Sequence, residues 1–141
     1  MDIFEECLDL TRRIQHLEEV LRELQYKIRY PKSQSFSDMP KGSSQESMLE
    51  VYLEKQESIA TKKLLLQNQK SLIWKEIEKA MNDLDIKPHE QQLMRLRYRM
   101  GFSWKKCTQS MKIEYRKWND NKTFKVNAGV KAKIKTYTFS L

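Results

Sequence analysis

Apolar residues open the chain at Ile3, Cys7, Leu10, Ile14, Leu17, Leu21, Leu24 and Ile28. Their alternating steps of four and three place them in one narrow stripe along a helix, the heptad seam of a coiled coil. Asp2, Glu5, Glu6 and Asp9 lead this segment and Lys27 and Arg29 close it, so both ends suit the helix dipole. Pro31 stops it, and Tyr30 before it is biased out of the helical region. Residues 31–47, rich in serine with two prolines and a glycine, predict a loop. A second long helix follows, with Ser47 and Glu50 spaced as a capping box. Its seam runs through Tyr52, Ile59, Leu66, Ile73 and Ala80, with Ile77 and Leu84 in the alternate position near the end. Polar residues at 55, 56, 62, 63, 69 and 70 interrupt the middle of that seam. The two helices predict a long antiparallel, coiled-coil-like hairpin over residues 1–86. One stripe per helix buries little surface, so either a second copy completes the arm as a homodimer, or it stands as an intramolecular coiled coil.

After Asp85 the pattern shortens. Pro88 fits the first turn of a third helix, Leu93, Leu96 and Met100 give it an i, i+3, i+7 face, and Gly101 ends it. Arg95, Arg97 and Arg99 lie off that face. Ser103 can cap a fourth helix in which Trp104, Cys107 and Met111 repeat the same spacing. If Cys107 and Met111 face inward, a helix-turn-helix frame puts the apolar residue of the turn at Ile113 and the inward residue of a following helix at Trp118. All four are apolar, so residues 87–122 predict a small helix-turn-helix unit.

Beyond Asn119 the rhythm becomes period two. Val126, Ala128, Val130, Ala132 and Ile134 alternate with Lys125, Asn127, Gly129, Lys131, Lys133 and Lys135, a strand signature. Residues 123–141 therefore read as a short basic β wing, as a poorly ordered basic tail, or as the altered end of a frameshifted gene. Taken together, the fold class is mainly α: the hairpin, the helix-turn-helix, and a short β tail.

Charge changes this picture. Residues 1–86 carry 13 basic and 16 acidic side chains, whereas residues 87–141 carry 14 basic and only 3 acidic, a net of +11. Such segregation builds a positive field suited to a polyanion. In the helix-turn-helix frame Arg116, Lys117, Asn119 and Lys122 point outward from the second helix, and arginine and asparagine can pair bidentately with guanine and adenine edges. Lys105, Lys106 and Lys112 sit where phosphate contacts fix orientation. Double-stranded DNA is the expected partner. A different class of protein also fits: a structural or adaptor coiled coil whose basic third docks RNA or an acidic protein.

The segment HEQQLMRLRYRMGFSW, residues 89–104, resembles the entry to region 4 of bacterial sigma factors, through Arg95, Leu96, Arg97, Tyr98, Gly101, Ser103 and Trp104. With the loop FSDMPKG at Phe36 to Gly42 between two long helices, the chain is similar over roughly residues 1–118 to phage and prophage transcriptional regulators of the ArpU/RinA type. That resemblance implies a phage regulator that binds promoter or operator DNA in a bacterial host cell, and in this reading the helical arm either oligomerises or engages a partner such as RNA polymerase. The chain departs from the pattern at Thr108, where a small residue is usual, at Lys112, where glycine is common, and at Glu114, where serine is usual. Asn121, the next inward position after Trp118, is polar.

No phosphate-binding glycine loop, nucleophile motif or metal-ligand spacing appears, so neither an enzyme nor a cofactor is expected. His16 and His89 read as surface residues, Cys7 and Cys107 as buried thiols, and Trp74 as packing between helices. The acidic start is unlike a secretory signal, no apolar run approaches the roughly 18 residues of a membrane helix, and a soluble cytoplasmic protein with reduced cysteines is expected.

Overall fold

The computed structural model describes residues 2–30 and 45–139, and the loop motif Phe36 to Gly42 lies outside them. Among the described residues there are five α-helices and no strand: α1 (Ile3–Arg29), α2 (Gln45–Asp83), α3 (Pro88–Met94), α4 (Trp104–Glu114) and α5 (Asp120–Ile134). None of them is long and apolar enough to cross a membrane. A π-helical turn, Arg95–Arg99, extends α3. The chain forms two compact units, one made of residues 1–12 and 69–141, the other of residues 13–68. The first unit thus runs across residue 86, where the hydrophobic pattern placed a domain boundary.

Within the smaller unit, the seam of α1 holds: Ile14 and Leu24 are buried and Leu17, Leu21 and Ile28 are half-buried. The seam of α2 is also continuous here, because Gln56 and Lys63 are half-buried between Tyr52, Ile59 and Leu66. Lys63 explains how a polar residue occupies such a position, since its Nζ lies 3.6 Å from Glu18 Oε1 on α1. The chain is already helical at Gln45, ahead of the cap expected at Ser47, whose side chain lies outside the described residues.

The larger unit holds most of the core. Asp2 caps α1 by accepting from the Glu5 backbone N–H at 2.8 Å, and Phe4, Cys7 and Leu8 pack with Trp74, Ile77, Ala80 and Met81 of α2. Trp74 is buried, and its Nε1 donates to Glu78 Oε1 at 2.9 Å. Helix α2 ends in a Schellman motif: Asp85 takes φ 54°, its N–H donates to Asn82 O at 3.1 Å, and the Ile86 N–H donates to Met81 O at 3.0 Å. Ile86 and Met81 then meet in the same apolar cluster.

Pro88 occupies the first turn of α3 as expected, and Gly101, at φ 76°, ends the π turn. Met100 is a correction, because it is 47% exposed and the inward face is Leu93, Met94, Leu96 and Tyr98. The π geometry is the cause: its wider turn shifts the register, so that the Met100 N–H bonds Arg95 O, five residues back. That leaves backbone carbonyls at the end of the turn beside the buried hydroxyl of Thr11 in α1, whose single proton has Cys7 O at 2.9 Å, Tyr98 O at 3.1 Å and Arg99 O at 3.3 Å within reach.

The tail is the largest correction. Residues 120–134 form neither strand nor loose tail but α5, capped by Asn119 Oδ1, which accepts from the Lys122 N–H at 2.9 Å. Thr123, Val130 and Ile134 are fully buried on one side, with Val126 partly so, at i, i+3, i+7 and i+11. Period two was an illusion created by Ala128 and Ala132, which are exposed and, as the best helix formers, favour this conformation. Val130 and Ile134 join the same cluster as Phe4 and Tyr98, so the core is closed by a segment the period-two reading left outside it.

Candidate nucleic-acid interface

Ser103 begins α4 as expected, its Oγ accepting from the Lys106 N–H at 3.2 Å. Cys107 and Met111 face inward and meet Leu93, Leu96 and Trp118. The turn, however, is displaced. Helix α4 continues through Glu114, the chain turns over Tyr115 to Asn119, and the next helix starts at Asp120. Ile113, expected inside the turn, is 83% exposed. With Lys112 standing where a glycine would have broken the helix, nothing stops α4 at that point, and the turn moves to the next residues that can form one.

Trp118 is inward, but as a residue of the turn. It is 1% exposed, and His89 from the first turn of α3 lies edge-on to it at 6.1 Å and packs on Tyr115 at 5.7 Å, so His89 is half-buried rather than a surface residue. Trp118 Nε1 donates to Thr123 Oγ1 on α5 at 2.7 Å, and Thr108 Oγ1 on α4 is 2.7 Å from the same oxygen. Turn, α4 and α5 are therefore joined by a buried polar junction. Satisfied in this way, a buried hydroxyl fixes one packing of the two helices.

All seven residues chosen from the sequence are exposed. Arg116 and Lys117 lie in the turn, Asn119 is the cap of α5, and Lys122 is in its first turn with Nζ 4.9 Å from the Trp118 ring. Lys112, in the last turn of α4, is at the same end. Lys105 and Lys106 are at the other end of α4, about 10 Å away along its axis at 1.5 Å per residue, and Lys106 covers the Phe102 ring at 4.1 Å. The structure thus gathers Lys112, Arg116, Lys117, Asn119 and Lys122 and sets Lys105 and Lys106 apart.

Reading α5 as a tail hid further basic residues. Lys122, Lys125 and Lys133 follow helical spacing at i, i+3 and i+11 and, with Lys87, line an open groove between the start of α3 and α5. Asn121, Lys125, Ala128 and Ala132 are exposed on the side of α5 turned away from Thr123, Val130 and Ile134. The helical spacing of the lysines was the signal in the sequence, masked by the alternation around it.

Other basic residues serve the fold. Lys131 reaches Glu5 Oε1 at 2.7 Å and Asp2 Oδ2 at 3.2 Å, with its Nζ 5.2 Å from the Tyr98 ring centroid. Burial opposes its charge, but the hydrogen bonds it makes to Glu5, Tyr98 and Asp2 outweigh that and hold its ammonium above the ordinary lysine range. Arg95 pairs with Glu78 at 3.5 Å, and Arg97 donates to Phe102 O at 2.9 Å while lying 4.3 Å over the Trp104 ring. Burial pushes the Cys107 thiol up to about 11, against a smaller opposing pull from Arg97, so it stays protonated in the core at neutral pH. Among the described residues no group of three His, Cys, Asp or Glu side chains could hold a metal ion. No family model, curated protein or solved structure matches this chain.

Proposed function

We propose that the protein is a DNA-binding transcriptional regulator of the phage type, with α4 and α5 as a region 4-like helix-turn-helix carried on an antiparallel helical hairpin. One observation supports this above the others: two helices locked by a buried junction at Thr108, Trp118 and Thr123 leave exposed cations over their turn and along the second helix. Because a recognition helix meets base edges with its N-terminal residues, the start of α5 at Asp120 redistributes the roles. Asn121 faces the bases, with Lys122 and Lys125 beside it on the adjoining backbone. Arg116, Lys117 and Lys112 at the turn, and Lys105 and Lys106 at the start of α4, hold phosphates on either side. Asn119, chosen earlier for base reading, is engaged through Oδ1 as a helix cap and keeps only its amide donors for DNA.

Fluorescence anisotropy with the full chain and labelled duplex DNA, single-stranded DNA and RNA tests the proposal. Duplex DNA should bind tightest, with affinity falling steeply as salt rises, because each phosphate neutralised contributes roughly −0.9 to the log-log slope. Equal binding of all three polymers, or tighter binding of RNA, would favour a docking module over a regulator that reads duplex DNA.

A further inference from the structure

We infer that the groove between the first turn of α3 and α5 holds one sugar-phosphate strand of the bound duplex, an inference that rests on the DNA-binding reading above. Four ammonium groups line it, those of Lys87, Lys122, Lys125 and Lys133, against the one carboxylate of Glu90. Its shape suits a polymer better than a small anion. Lys122 and Lys133 are separated by about 16 Å along α5 at 1.5 Å per residue, long enough to span more than one phosphate of a single strand.

Gly129 supplies an independent argument. It lies in the middle of α5, where glycine is the poorest ordinary choice for a helix. Nothing in the packing asks for it: a Cβ built there meets no atom within 4 Å, and its φ is not positive. It is, however, one of the residues lining the groove, between Lys125 and Lys133. A side chain at 129 would project into the space that a strand would occupy.

Two variants of the full chain test this by anisotropy on labelled duplex DNA over a salt series, with circular dichroism to follow folding. Gly129→Met places a strong helix former in the groove, so it should keep or raise the melting temperature while weakening duplex binding on the order of tenfold or more. The double variant Lys125→Gln with Lys133→Gln should weaken binding by tenfold to a hundredfold, with the log-log salt slope falling by about 1.8 for two lost contacts. Wild-type affinity and slope in both variants would overturn the groove assignment and leave the DNA-binding reading intact, provided Arg116→Ala and Lys105→Ala still weaken binding. Failure of the wild-type chain to bind any duplex at low salt would overturn both.

Discussion

Thr123 Oγ1 lies 2.7 Å from Trp118 Nε1 and 2.7 Å from Thr108 Oγ1, and Thr123 is fully buried. Indole N–H can only donate, so Thr123 must accept from Trp118 and still has its own proton to place, either on Thr108 or on Asn119 O at 3.4 Å. Replacing Thr123 by valine keeps the shape and strands the Trp118 donor in the core. The expected loss is about 2–3 kcal/mol, from buried polar groups left without partners. Thr123→Ser keeps the hydroxyl and should lose about 1 kcal/mol for one methyl group. Urea unfolding midpoints compare them, and a serine variant as damaged as the valine one would remove the hydrogen-bond explanation.

Asp85 offers the opposite kind of change. It ends α2 in the left-handed region at φ 54°, a conformation costing a non-glycine residue roughly 1 kcal/mol. Asp85→Gly should therefore stabilise the chain only slightly, by up to about 0.5 kcal/mol, after the greater freedom of glycine in the unfolded state is set against the relief. Asp85→Val should destabilise it by more than that. Thermal melts of the three proteins check the order Gly, Asp, Val, and a glycine variant less stable than wild type would show that the Asp85 side chain does more than tolerate the turn.

The alkaline side of the stability profile reports on the core around Cys107. Its thiol sits at about 11 in the folded chain against an ordinary value near 9, because burial disfavours the thiolate. Below pH 9 both states keep the proton and the thiol contributes no pH dependence. Between 9 and 11 the unfolded state alone releases it, so stability falls as pH rises, by about 3 kcal/mol in total. Lys131 acts in the same direction, since its raised value means its ion pairs are lost only as pH climbs through the folded value. The discriminating quantity is therefore the slope of stability against pH from 9 to 11 in wild type and Cys107→Ala. The alanine variant should be flatter, and equal slopes would place the titration elsewhere.

What the sequence disclosed, and what it hid, has a physical pattern. The seams of α1 and α2, Pro88 at the start of α3, Gly101 after the π turn and Ser103 at the start of α4 were all legible, because each rests on a local rule of spacing or capping. Met100 was misplaced because a π turn changes the register without a marker residue. Ile113 was misplaced because its inward position depended on a turn that Lys112 and Glu114 do not make. In α5, helical spacing of Thr123, Val126, Val130 and Ile134 was present throughout, but alanine counts as apolar in an alternating pattern and is equally at home on an exposed helix face. The exposed cations could be chosen from sequence as a set. Their division between turn, cap and helix could not, because that depends on where α5 begins.

That starting point also decides which substitutions separate recognition from affinity. If the first turns of α5 meet the base edges, Asn121→Ala removes a group able to pair bidentately with adenine, at about 1–3 kcal/mol on the preferred site and little on random duplex. Lys105→Ala, at the far end of α4, removes a phosphate contact, so it should weaken preferred and random duplexes by the same factor and reduce the log-log salt slope by about 0.9. Arg116→Ala and Lys117→Ala distinguish the two registers of the motif. As residues of the turn they should behave like Lys105, whereas a recognition helix starting near Glu114 would make them behave like Asn121. A preferred duplex enriched from a random pool by the full chain, measured beside a scrambled one of the same length, gives the comparison. Loss of preference in Arg116→Ala with none in Asn121→Ala would mean that the DNA is read from the turn and not from α5.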